Sequence, residues 1–100
     1  WRNQVTLVGR ISAVAEDVEL PSGDVLTRLR IVVPRDRPVT RTTVDAIDLV
    51  CLRAAPRKRA HTLEVGDVVQ VEGMLRRRFW KAGAAVASRI DVEVTSLQRA

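Results

Sequence analysis

The apolar residues of this 100-residue chain recur mostly at period two, in short runs bounded by glycine, proline and charged clusters, which is the pattern of β-strands. Val5–Ile11 is the first such run, with Gly9 inside it as a candidate bulge, and a second run reaches from near Ala13 to Leu20. Pro21-Ser22-Gly23-Asp24 then supplies turn chemistry, because proline presets φ and Gly23 can take a positive one. From Val25 to Val33 the alternation is clean, with Leu29, Ile31 and Val33 on one face and Arg28 and Arg30 on the other. Pro34 ends that strand, and residues 34–43 read as a basic exposed loop. Val44–Leu52 returns to strand with both faces partly apolar. Pro56–Val65 is the one plausible helix, entered on a proline and closed by Gly66. Val68–Trp80 is the longest strand, bent at Gly73, and Lys81-Ala82-Gly83 turns it into a last strand over Val86–Val94.

Three strands, a short helix and two more strands around one small core is the element order of an all-β, five-stranded Greek-key barrel of the OB type, with the helix between strands 3 and 4. Periodicity alone leaves a sandwich or an SH3-like barrel open. The length is that of a single domain over residues 1–100, with no repeat, linker or low-complexity segment.

Charge adds a partner class. Seventeen Lys+Arg against twelve Asp+Glu give a net charge of +5, which favours a polyanion. Arginine richness is also what a GC-rich genome yields, so placement matters more than the total. Residues 28–41 hold Arg28, Arg30, Arg35, Arg37 and Arg41 against the single acid Asp36, whereas residues 1–27 carry two cations and four acids. In the long strand, parity puts Val69, Val71, Leu75 and Phe79 on one face, which makes Phe79 a core residue, and Arg76, Arg78 and Trp80 on the other. An aromatic flanked by cations on an exposed face suits single-stranded nucleic acid, since every base offers a π-face and every nucleotide a phosphate. The alternative is that Trp80 packs under a loop and the arginines are a solvated face.

Catalysis has no visible residues. His61 has no second His or Cys at metal-ligand spacing and reads as an ordinary helix residue; Cys51 reads as a small core residue. Asp45 and Asp48 lie three apart, hence on opposite faces of a strand, and no glycine-rich phosphate loop occurs. No enzyme, metal, cofactor or small-molecule substrate is expected. A single Cys gives no disulfide framework, and no apolar run is long enough to span a membrane, so the expected setting is cytoplasmic.

At this point the sequence resembles the bacterial single-stranded-DNA-binding protein family over nearly its whole length. Asn3-Gln4-Val5-Thr6-Leu7-Val8-Gly9-Arg10 is similar to the family's opening strand, and Leu20-Pro21-Ser22-Gly23 with Leu29-Arg30-Ile31 to its first hairpin. Leu63 and Gly66-Asp67-Val68-Val69-Gln70-Val71-Glu72-Gly73 resemble its helix end and fourth strand, and Met74-Leu75-Arg76-Arg77-Arg78-Phe79-Trp80 the continuation that ends in a DNA-stacking Trp. The resemblance implies an OB fold, binding of single-stranded DNA without sequence preference in replication, repair or recombination, no cofactor, a cytoplasmic, nucleoid-associated setting, and a homo-oligomer, a tetramer or dimer. RNA stays open as a partner.

Carried over by residue, the resemblance gives Trp80 the stacking role, with Arg76 and Arg78 beside it. Departures are equally plain. The two stacking aromatics of the family's third strand fall on Ala46 and Leu52, the loop after Val33 is shorter and lacks its usual Trp, and no aromatic occurs from Arg2 through Arg78. Stacking is worth roughly 1–3 kcal/mol per base, so a divergent paralogue with weakened, salt-dependent binding is the expectation, and an OB-fold interaction or replication accessory subunit is the alternative. The family's acidic tail has no counterpart in Leu97-Gln98-Arg99-Ala100, and the start at Trp1 makes a longer parent chain the expectation.

Overall fold

The computed structural model describes residues 1–100. Its elements are β1 (Val5–Glu19), β2 (Val25–Pro34), β3 (Val44–Cys51), helix α1 (Ala54–Ala60), β4 (Val68–Ala82) and β5 (Ala85–Arg99). They close into a barrel in the order β1-β2-β3-β5-β4, antiparallel throughout except where β3 meets β5 in parallel at Leu49 and Val50. Closure leaves no unpaired sheet edge around the core. This is the expected five-stranded barrel with its one short helix between β3 and β4.

Two of the expected runs are one element. β1 runs unbroken from Val5 to Glu19, pairing β4 through Val5–Arg10 and β2 from Arg10 onward, so Arg10 is where it passes from one partner to the other. The bend that this requires lies between Ile11 and Glu16, where register slips twice, and not at Gly9. Gly9 serves a close approach instead: a Cβ there would sit 2.6 Å from the Val32 carbonyl oxygen. The β1–β2 turn follows the expected chemistry, with the Gly23 N–H donating to the Leu20 carbonyl at 2.9 Å and Gly23 at φ 91°.

The inward side chains are those that strand parity selects. Leu29, Ile31, Leu49, Cys51, Val69, Val71, Val92, Val94 and Leu97 join Ile11 in one core, and Ala60 and Leu63 bring the helix end into it. The helix begins two residues before the expected Pro56 and ends at Ala60 rather than Val65. Pro56 fits inside the first turn because its missing N–H has no intrahelical partner there. Three-residue bonds from the Thr62 and Leu63 N–H groups to the Arg59 and Ala60 carbonyls then tighten the chain and swing Leu63 inward. Gly66, at φ 99°, passes the chain to β4 while its N–H donates to the Ile11 carbonyl at 2.9 Å. No helix is long and apolar enough to cross a membrane.

β4 and β5 are both longer than the sequence pattern suggests, by Lys81 and Ala82 in β4 and by Ala85 and Thr95–Arg99 in β5, and the site stands on the part of each that outruns its other partner. β1 pairs with β4 only as far as Gly73, and β3 meets β5 only at Val92 and Glu93. Beyond those points Arg76–Ala82 and Ala85–Asp91 pair with each other alone, as a two-stranded arm standing off the barrel. The expectation that Phe79 belongs to the core is therefore corrected. Its parity is that of Val69 and Val71, but its only strand partner is β5 within the arm, and it is 65% exposed.

Candidate nucleic-acid interface

Register fixes the two faces of the arm. Arg76, Arg78 and Trp80 stand opposite Asp91, Arg89 and Ala87, so all six share the side away from Phe79. Trp80 is 47% exposed, so the alternative that it packs under a loop does not hold. An indole held on a β-ribbon with its face partly open presents a flat apolar platform at little conformational cost.

The arginines beside it are not free charges. Arg78 Nε donates to Asp91 Oδ2 at 2.8 Å, and its Nη2 lies 3.6 Å from Glu93 Oε1. Arg76 Nε sits 3.6 Å from the same Glu93 oxygen, and Arg89 Nε 3.9 Å from Asp91 Oδ2. Asp91 is buried although its parity points away from the core, with Arg78 and Arg89 both within salt-bridge distance of its Oδ2. Arg78 Nη2 and Asp91 Oδ1 are buried without a hydrogen bond, so this cluster is held by charge more than by completed bonding.

The basic set of β2 continues the same surface. Arg28, Arg30 and Arg89 line one groove of about 290 Å³ together with Ala13, Val14, Glu16, Asp48 and Val50. Here too acids answer the cations, with Arg28 Nη2 3.7 Å from Glu16 and Arg30 Nε 2.8 Å from Asp48. The groove thus carries three cations against two acids and presents Arg89 as the link between barrel and arm. Sequence reasoning missed Arg89; its pairing opposite Arg78 was recoverable only by fixing the β4–β5 register.

The loop cations stay apart from that groove. Arg35 makes a two-pronged contact to Asp45 Oδ1, from Nε at 3.1 Å and from Nη2 at 2.9 Å, which pins the loop base against β3. Arg37 and Arg41 are exposed in residues 35–43 with no carboxylate within salt-bridge distance, Arg37 in a left-handed conformation at φ 55°. At the positions where the family resemblance places third-strand aromatics, Ala46 and Leu52 are both exposed, so β3 offers a smooth surface and no stacking platform.

Two titratable groups are tuned elsewhere. Asp17 accepts from the Thr27 hydroxyl at 2.6 Å and contacts His61 Nε2 at 2.8 Å, and those two bonds hold its carboxyl below the ordinary range. His61 is thus the C-cap of α1 tied to β1, a contact that sequence spacing could not show. Cys51 is fully buried as expected, and burial pushes its thiol up to about 12.

A model of the single-strand binding protein family matches residues 2–99. Among solved structures, a small single-stranded DNA-binding protein from Streptomyces coelicolor is similar at 21% identity and TM-score 0.70, over 97% of this chain and 93% of that one. Plasmodium falciparum SSB in complex with ssDNA is similar at 18% identity and TM-score 0.81, over 100% of this chain and 96% of that one. At these identities the structures speak for the fold. No curated protein matches the sequence.

Proposed function

The chain belongs to the single-strand binding protein family, and on that premise we propose that it binds single-stranded DNA without sequence preference along the groove and the Trp80 face of the arm. The observation that carries this reading is the continuity of surface from Arg28 and Arg30 through Arg89 to Arg78 and Trp80. Trp80 stacks a base, while the arginines, already held in place by carboxylates, offer their remaining N–H groups to phosphates. Arg37 and Arg41 add uncompensated charge from the loop. The role is binding without chemistry, and residues 1–100 act as one OB-fold domain.

The same membership extends the proposal to work in DNA replication, repair and recombination, in the cytoplasm on the nucleoid, by an assembly of identical chains, a tetramer or dimer. An exposed apolar outer surface supports assembly: Val8, Val32, Pro34, Val44 and Val68 line a shallow cleft of about 420 Å³ on the barrel wall. The second reading, an accessory subunit that grips DNA weakly, is favoured by exposed Ala46 and Leu52 where platforms would stand.

The test is anisotropy of labelled oligo-dT at low salt. Trp80→Ala is expected to weaken binding by the value of one stacked base, roughly 1–3 kcal/mol or about fivefold to 150-fold. Equal affinity of wild type and variant would remove Trp80 from the site, and absence of binding at low salt would leave the accessory reading.

A further inference from the structure

The face of the arm opposite Trp80 is apolar, aromatic and uncompensated in charge. Leu75, Arg77, Phe79 and Lys81 of β4 stand opposite Val92, Ile90, Ser88 and Val86 of β5 and share that face with them. Nearer the barrel the same face fills the core. Past Leu75 it has nothing to pack on, and Phe79, Val86 and Ile90 are left open.

Its charges differ in kind from those around Trp80. Arg77 makes one side-chain hydrogen bond, from Nη1 to the Ser88 hydroxyl at 3.1 Å, and has no carboxylate within salt-bridge distance; Lys81 has none either. A third cation joins them at the base. The Asn3 side chain imitates a strand residue, its Nδ2 donating to the Leu75 carbonyl at 2.7 Å and its Oδ1 accepting from the Leu75 N–H at 2.8 Å. That anchor brings Arg2 into a cleft of about 430 Å³ with Leu75, Arg77 and Ile90. No acid lines this cleft.

The geometry points to this face as a second track for single-stranded nucleic acid, with Phe79 stacking a base and Arg2, Arg77 and Lys81 holding phosphates. A long strand then grips both sides of the arm. The inference rests on the Trp80 face being the first track. Charge selects the occupant: a second copy docked symmetrically on this face would set Arg77 and Lys81 against the same cations of its partner, whereas a polyanion with π-faces answers both the cations and the aromatic.

The test compares oligo-dT of about 8 nucleotides, within the site size of one OB face, with oligo-dT of about 30. Phe79→Ala is expected to weaken the long oligomer by about fivefold to 150-fold and leave the short one, held at Trp80, unchanged. Arg77→Ser with Lys81→Ser is expected to reduce the log-log salt slope by about 1.4 for the long oligomer only, at roughly 0.7 per phosphate. Because these side chains are exposed on the arm, melting curves should coincide with wild type and confirm that the variants fold. Phe79→Ala binding both lengths like wild type, while Trp80→Ala loses both, would overturn the second track and keep the first. Phe79→Ala that changes sedimentation but not DNA affinity would overturn it in favour of self-association. If wild type binds neither length, the first track fails and this one with it.

Discussion

Removing Arg78 should damage the fold before it reports on binding. The Asp91 side chain has no exposed area, and Arg78 is its nearest cation at 2.8 Å, against 3.9 Å for Arg89. Breaking a buried ion pair by deleting one partner costs about 3–5 kcal/mol, because the survivor is left charged and dry. Arg89 still offers partial compensation, which places Arg78→Ala near the lower end, about 3 kcal/mol. For a chain of this length each kcal/mol moves Tm by about 4–8 °C, so a drop of roughly 12–24 °C is expected. The double variant Arg78→Met with Asp91→Leu removes both charges at similar volume and should sit within about 1 kcal/mol of wild type. Circular dichroism melts of the three proteins at neutral pH make the comparison. If Arg78→Ala melts with wild type, Asp91 does not depend on it, and the arginine is free to act as a simple DNA contact. If it melts early while the double variant does not, any loss of DNA binding in Arg78→Ala belongs to Asp91, and the double variant is the proper probe.

Two further outcomes follow from the buried and tuned groups. Cys51, fully buried with its thiol pushed up to about 12, should resist a thiol-reactive probe in the native protein at mildly alkaline pH and react fully once denaturant is added; labelling of the native protein at the denatured rate would contradict its burial. Asp17, held low by its bonds to Thr27 and His61, contributes stability that is present above the ordinary value of 3.8 and is lost as pH falls through the depressed one. Asp17→Asn should therefore lower Tm at neutral pH and flatten its fall on the acid side, and an acid limb as steep as that of wild type would show that other carboxylates set it.

Strand parity made most of this barrel legible. It sorted Leu29 and Ile31 from Arg28 and Arg30, placed Cys51 inside, and put Trp80 on the same face as Arg76 and Arg78. It misplaced Phe79 because alternation assigns a side chain to a face and says nothing about where the neighbouring strand stops. Whether that face is core or arm depends on β1 leaving β4 at Gly73, a property of the whole barrel. The hairpin of residues 20–24 could be read locally, since proline and a positive-φ glycine are sufficient for the turn, while the bend of β1 could not. That bend is set by the need to serve two partners and falls at Ile11–Glu16, among residues with no special backbone freedom.

Charge was the least legible part of the site. Counting cations gave Arg28, Arg30, Arg35, Arg76 and Arg78 equal standing with Arg37 and Arg41. The register brings Glu16, Asp48, Asp45, Glu93 and Asp91 against the first five and leaves the last two uncompensated. Those acids lie between ten and eighteen positions away from their partners along the chain, beyond the reach of any local pattern. The pairing lowers the net field of the surface and also holds the arginines in place, exchanging long-range attraction for position.

That exchange sets the measurement that bears most directly on single-strand binding by this chain. Affinity for oligo-dT of about 30 nucleotides, followed by anisotropy from low to moderate salt, should fall with a log-log slope of about −3.5, the contribution of Arg2, Arg37, Arg41, Arg77 and Lys81, the contact cations without a carboxylate partner, at roughly 0.7 each. The affinity left at moderate salt should depend on Trp80. A flat salt profile, or no measurable binding at the lowest salt, would contradict the account.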